Sequence, residues 1–170
     1  MRQVALLRGV NLGKRQVIMS ELRAICESAG FIDVRTLLAS GNLVLSAKEK
    51  GAKLEAKLEK LLLDEMGLRT DVFVRTAAEL EAVVVGNPFK SFAKKQPTFM
   101  VVTFARERPT AAEFKAMVET STGGEQVAIG KGCIYLTFPN GQSQSEMKRI
   151  TYGTSRNWNT VTKLSALLAD

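Results

Sequence analysis

Histidine is missing from this chain altogether. Its absence removes the commonest general base, the Ser-His and Cys-His nucleophile pairs, and every imidazole metal ligand. Any general base would have to be a carboxylate, a lysine or a bound group. Cysteine is nearly as scarce. Cys26 and Cys133, in 170 residues, make no disulfide framework, and a reducing, cytoplasmic setting is the expectation. Long apolar runs are lacking too: Ala82-Val83-Val84-Val85 is far short of the roughly 20 residues a helix needs to span a bilayer, so no membrane partner is expected. Met1-Arg2 followed by Val4 to Leu7 has neither the apolar core nor the cleavage site of a secretory leader.

What remains is ordinary for a folded protein: 45% hydrophobic and 24% charged residues, enough chain for one large domain or two small lobes. The formal net charge is +7. It is spread out, with fourteen Lys/Arg against eleven Asp/Glu in residues 1–90 and ten against six in 91–170. A diffuse excess of this kind favours anions in general without singling out nucleic acid.

Val4-Ala5-Leu6-Leu7 reads as a central strand buried on both faces. Ser20 is placed to cap a helix with the stripe Leu22, Ile25, Cys26 and Ala29, stopped by Gly30. Residues 33–38 and 43–46 form a hairpin around Ala39-Ser40-Gly41-Asn42. A second helix carries Leu54, Leu58, Leu61, Leu62 and Met66, Gly67 ends it, and a fourth strand covers 71–75. This β-α-β-β-α-β order predicts a ferredoxin-like lobe over residues 1–88. Thr76 and Glu79 open a third helix that stops before Asn87-Pro88. Residues 89–170 predict a second, smaller α+β lobe. Its strands lie at 98–104, 125–129 and 133–138, with a helix capped by Thr110 and Glu113, a short helix capped by Ser143 and Glu146, and a C-terminal helix bearing Val161, Leu164, Leu167 and Leu168. The expected class is α+β, with the two lobes packed as one unit.

Three motifs are polar and free of carboxylates. Gly9-Val10-Asn11-Leu12-Gly13-Lys14 follows the first strand. It has three residues between its glycines where a Walker loop has four, and Arg15 follows Lys14, so that motif is rejected. Its amides, with Arg8 and Lys14, could still hold an anion. In a split β-α-β lobe the loop after strand 1 and the turn after strand 2 share one end of the sheet, which should bring Arg8, Asn11 and Lys14 near Ser40, Gly41 and Asn42. The third motif is Gly153-Thr154-Ser155-Arg156-Asn157-Trp158-Asn159-Thr160, read as a helix start. Helical spacing then puts Trp158 in the core with Val161 and Leu168, and Arg156, Asn159, Thr160 and Lys163 on the other face, with Asn157 or Asn159 as the cap. The missing carboxylates argue against a metal site and against paired-carboxylate hydrolysis, and no cofactor is identified. Cys26 reads as core, and Cys133 lacks the partner that catalysis would require. Lys53, Lys57 and Lys60, interleaved with Glu55 and Glu59, read as one solvated helix face.

Leu7-Arg8-Gly9-Val10-Asn11-Leu12-Gly13, Met19, Leu22, Gly30-Phe31, Val34-Arg35-Thr36 and Ser40-Gly41-Asn42 form an ordered set. It continues with Asn87-Pro88-Phe89, Phe138-Pro139-Asn140-Gly141 and Thr154 to Thr160. In this set the chain resembles a mainly bacterial family catalogued as domain of unknown function 1697. The resemblance implies a cytoplasmic protein of two α+β parts, one ferredoxin-like, and implies no activity and no catalytic residue. The chain departs from the family's usual Ser-Lys-Leu in having Ser145-Glu146-Met147.

The leading functional expectation is a binding module for a phosphate-bearing or other anionic small ligand held between the lobes. Arg8, Arg35 and Arg156 would neutralise charge, and Asn11, Ser40 and Asn42 would orient the ligand. Lys14, Asn157, Asn159 and Lys163 complete the candidate set. An enzyme acting on an anionic substrate by positioning and electrostatics is the alternative, with Lys163 or Lys14 as base. Weak nucleic-acid binding ranks third, because Val4 to Leu7 and Leu43-Val44-Leu45 carry no aromatic on which a base could stack.

Overall fold

A computed structural model describes residues 1–12 and 16–170. The described residues form eight strands and six helices in two compact units, one of Met1–Leu80 with Leu164–Asp170, the other of Glu81–Lys163.

In the first unit β1 (Arg2–Leu7), β2 (Ile32–Leu37), β3 (Asn42–Ser46) and β4 (Val72–Thr76) make an antiparallel sheet in the order β2-β3-β1-β4. Helix α1 (Met19–Ser28) joins β1 to β2, and α2 (Gly51–Met66) joins β3 to β4. This is the split pattern expected, with β3 running back between β1 and β2. Ala5, Leu7, Leu43, Leu45, Val72 and Val74 pack against Leu22 and Cys26 of α1 and Leu54, Leu58 and Leu62 of α2. Val4 and Leu6 point to the opposite side of β1 and are equally inaccessible, so both of its faces are buried.

Local chemistry differs from expectation at two points. Helix α1 begins at Met19 with Ile18 in the capping position and no side-chain cap, so Ser20 lies inside the first turn. Helix α2 is not evenly solvated. Glu55 is buried, and its carboxylate accepts the Val74 N–H at 2.8 Å. One charged side chain in the lysine-rich row thus ties the helix to β4. Gly67, with φ +61°, ends α2 in the left-handed conformation glycine tolerates best.

Helix α3 (Ala77–Val85) starts with the Glu79 N–H on Thr76 Oγ1. Within the second unit comes a short helix, α4 (Lys90–Lys95), and a 3-10 turn at Pro97–Phe99, where a strand from residue 98 was expected. Strand β5 (Met100–Phe104) therefore begins two residues late. Helix α5 (Ala111–Thr120) has the full capping box anticipated at Thr110 and Glu113. Strands β6 (Gln126–Gly130) and β7 (Cys133–Thr137) follow.

The largest departure concerns residues 154–157. They form a strand, β8 (Thr154–Asn157), paired antiparallel with β5, and α6 (Trp158–Ala169) starts only afterwards. The second sheet is then β6-β7-β5-β8, the same order as the first when the strands of each unit are counted from its own start. A long irregular segment replaces the second helical crossover. It contains a 3-10 turn at Gln142–Gln144 in place of the short helix expected from Ser143, and Ser145 is already extended. Phe138 and Met147 from this segment join Val101, Met117, Ile134 and Leu136 in the core.

Candidate functional site

The loop end of the first sheet is built by an asparagine. Asn11 adopts a left-handed backbone, φ +56°, and its side chain spans two neighbouring segments. Its amide donates to the Val17 carbonyl at 3.0 Å and to the Ala39 carbonyl, while its Oδ1 accepts the Val17 N–H at 2.6 Å. The turn after β2 is tied to the same place. The Leu7 N–H donates to the Gly41 carbonyl at 2.9 Å, and Asn42, fully buried, donates to the Leu37 carbonyl and Ser40 Oγ at 2.7 and 2.8 Å. A Cβ on Gly41 would sit 2.5 Å from Val10 Cγ2 and 3.0 Å from Leu7 Cβ, at φ +85°. Asn11, Ser40, Gly41 and Asn42 thus come together at one sheet end, with Asn11 and Asn42 engaged in holding backbone.

Arg8 leaves β1 beside this cluster. Its backbone N–H donates to the Asp71 carbonyl at 3.0 Å, its carbonyl accepts Thr70 Oγ1 at 2.7 Å, and its guanidinium lies 3.3 Å from the Asp71 carboxylate. That pair is about half exposed. Arg8 and Gly9 then line an open groove of about 740 Å³ with Lys60, Arg69, Thr70 and Asp71, walled by Glu59 and Leu63. Three cationic side chains meet two carboxylates there. Lys14 lies outside the described residues. Arg35 is elsewhere: exposed on the edge strand opposite Val44, it faces a separate hollow with Arg23, Glu27 and Asp33.

The C-terminal motif is arranged unlike a helix start. Thr154 and Arg156 face one side of β8 and are buried; Ser155 and Asn157 face the other and are half-buried. Arg156 donates to Thr154 Oγ1 at 2.7 Å and to the Ser155 carbonyl at 2.9 Å. Burial pushes its guanidinium down to about 10. It therefore does not share a helix face with Asn159, Thr160 and Lys163. Asn157 is the cap of α6, accepting the Thr160 N–H at 3.0 Å on its Oδ1. Asn159 is half-buried in the first turn and Lys163 is exposed.

A second arginine, not singled out from the sequence, stands on the Ser155 side of that sheet. Arg149 donates to Gln142 Oε1 at 2.7 Å and to Ser155 Oγ at 3.2 Å, and its guanidinium lies over the Phe138 ring, 5.1 Å from the centroid. Ser155 Oγ is in turn 2.7 Å from Thr103 Oγ1. The signal was available: no carboxylate occurs between Glu146 and Asp170, and Arg149 lies in that stretch. Ser145, of the triplet that departs from the family pattern, bonds the Glu125 carboxylate at 2.8 Å, while Glu146 is exposed. Among the described residues no group of three Cys, Asp or Glu is placed to hold a metal, and no helix is long and apolar enough to cross a membrane.

Two antiparallel four-stranded units of identical strand order, the first with a loop end locked by Asn11 and flanked by a groove of mixed charge, define an α+β protein. The chain belongs to the family described as protein of unknown function, DUF1697, which matches residues 1–135. The matched part ends within β7, so β8 and α6 lie beyond it. The chain is similar in fold to the conserved bacterial protein SP0830 from Streptococcus pneumoniae, with 24% identity, 99% of this chain and 98% of that one covered, and a TM-score of 0.80. No curated protein matches.

Proposed function

We propose that this protein is a binding module for a phosphate-bearing or other small anionic ligand, taken up in the Arg8 groove of the first unit. The observation that carries the reading is the meeting of Arg8, Lys60 and Arg69 with Gly9 and Thr70 around one open groove. Arginine suits this task because its planar fork of donors matches phosphate and carboxylate oxygens. The Arg8–Asp71 pair does not stand in the way. Half-exposed ion pairs are worth about 0–1 kcal/mol, so an incoming anion competes with Asp71 at small cost. The backbone bonds of Arg8 to Asp71 and Thr70 are the scaffold: they fix where the chain leaves β1, and with it the position of Arg8.

Arg156 has no part in this reading, since it is buried within β8. Base stacking on the first sheet, the mode of ferredoxin-like RNA binders, is not supported either, because Val4, Leu6, Val44 and Phe73 are all buried.

The test is a thermal-shift titration with inorganic phosphate and with a nucleoside monophosphate. Binding to the native state raises Tm by mass action, by about 2.7 kcal/mol of stabilisation at a hundredfold excess over Kd. Arg8→Ala and Arg69→Ala should each remove most of the gain while leaving the unliganded Tm within a few degrees of wild type. A gain that survives both substitutions would refute the assignment to this groove.

A further inference from the structure

The Arg149 cluster of the second unit has a charge arrangement that structural anchoring alone does not require. Gln142, exposed on its 3-10 turn, and Ser155, on β8, are the hydrogen-bond acceptors, and both are neutral. Among the described residues no carboxylate lies within ion-pair distance of Arg149. Burial nevertheless pushes its guanidinium below the ordinary arginine pKa, because part of its hydration is lost. A desolvated cation without a counter-charge is costly. A clamp joining the 3-10 turn to β8 needs only donors, which an amide side chain would supply without that cost.

The neighbouring groups are those an oxyanion would use. Ser155 Oγ and Thr103 Oγ1 are 2.7 Å apart and form a hydroxyl pair at the edge of the guanidinium. Phe138 beneath it restricts the orientation of the fork. Thr103 is buried, whereas Arg149 and Ser155 are partly open to solvent, and the exposed Gln142 side chain can swing away. We propose that Arg149, Ser155 and Thr103 form a second oxyanion site, accepting a carboxylate or phosphate group that replaces Gln142 on the guanidinium. This site is independent of the Arg8 groove and stands or falls by itself.

The test reads Arg149 directly. Its Nε–Hε signal in a ¹H–¹⁵N spectrum, assigned by its loss in Arg149→Gln, is followed during titration with inorganic phosphate, with acetate, and with chloride at matched ionic strength. The expected result is a saturable shift with phosphate or acetate, none with chloride, and the same behaviour in Arg8→Ala protein. Whichever of the two anions binds more tightly identifies the group accepted. Ser155→Ala should weaken that binding about fivefold, the equivalent of one hydrogen bond. A signal that does not move, or that drifts linearly and equally with all three salts, overturns the proposal and leaves Arg149 as a loop anchor. Should Arg149→Gln fail to fold, Arg149→Lys serves for assignment, because it removes the Nε–Hε signal and keeps the charge.

Discussion

At the scale of single residues, Asn11 holds together the loop end of the first sheet, next to the candidate groove. Its side chain makes three hydrogen bonds to backbone groups of two other segments, and its left-handed φ is tolerated by asparagine better than by most residues. Asn11→Ala should destabilise the protein by about 1–3 kcal/mol, because it strands the Val17 N–H and two carbonyls. Asn11→Asp should be at least as harmful, since a carboxylate cannot donate to the Val17 and Ala39 carbonyls. Urea unfolding of both variants checks this, and equal midpoints for wild type and Asn11→Ala would contradict it. Cys26 makes a second residue-scale prediction. Burial, with Glu27 adding to it, pushes its thiol up to about 11, so at pH 8 little thiolate exists and access is blocked. A thiol reagent should label Cys26 slowly in the native protein and rapidly in denaturant; labelling at equal rates would show that the α1 side of the core is open.

At the scale of elements, the irregular segment that replaces a helix in the second unit depends on Glu125. Its carboxylate is held below the ordinary value of 4.5 by its own backbone N–H, then by the Ser145 hydroxyl and the Gly123 N–H. Glu113 is lowered in the same direction, first by the Thr110 N–H of its capping box and also by Tyr152. A carboxylate whose folded value lies below its unfolded value stabilises fully above the unfolded value and loses that stabilisation as pH falls through the folded one. Stability should therefore be level with respect to these groups from neutrality to about pH 5 and fall below that. Glu125→Gln should lower the urea midpoint at pH 7 and make the acid decline shallower. An acid limb unchanged in slope would remove Glu125 from the account.

The elements also show what could be read from the chain and what could not. Runs with ordinary hydrophobic periodicity, such as Val4 to Leu7 and the Leu54-Leu58-Leu62 stripe, signal their structure plainly, and Gly67 and Thr110 mark helix ends correctly. Strand β8 was hidden because its inward positions are Thr154 and Arg156. An alternation whose buried member is an arginine does not look like a strand, and the adjacent Asn157, which does cap a helix, drew the boundary too early. The role of Glu55 is hidden for a related reason: a carboxylate among lysines resembles a solvated face until β4 is placed to offer it an N–H. Of the candidate site, the meeting of Asn11 with the Ser40–Asn42 turn followed from strand direction alone. Lys60 and Arg69 became visible only once α2 and the approach to β4 were placed in space.

At the scale of the whole molecule, the surplus of seven positive charges is spread over both halves of the chain. Single-stranded nucleic acid should therefore bind weakly and with a steep salt dependence. Titrating a labelled oligonucleotide at two salt concentrations checks this; tight, salt-resistant binding would favour nucleic acid over a small ligand.

The claim that the Arg8 groove takes an anion is tested most directly by a calorimetric titration of phosphate into wild type, Asp71→Asn and Arg8→Ala protein. Asp71 is the carboxylate that a bound anion must displace from Arg8. The account predicts that Asp71→Asn binds phosphate several-fold more tightly than wild type, consistent with the ~1 kcal/mol of a half-exposed pair, and that Arg8→Ala loses the binding. Equal affinity in all three proteins, or no heat of binding in any of them, would contradict it.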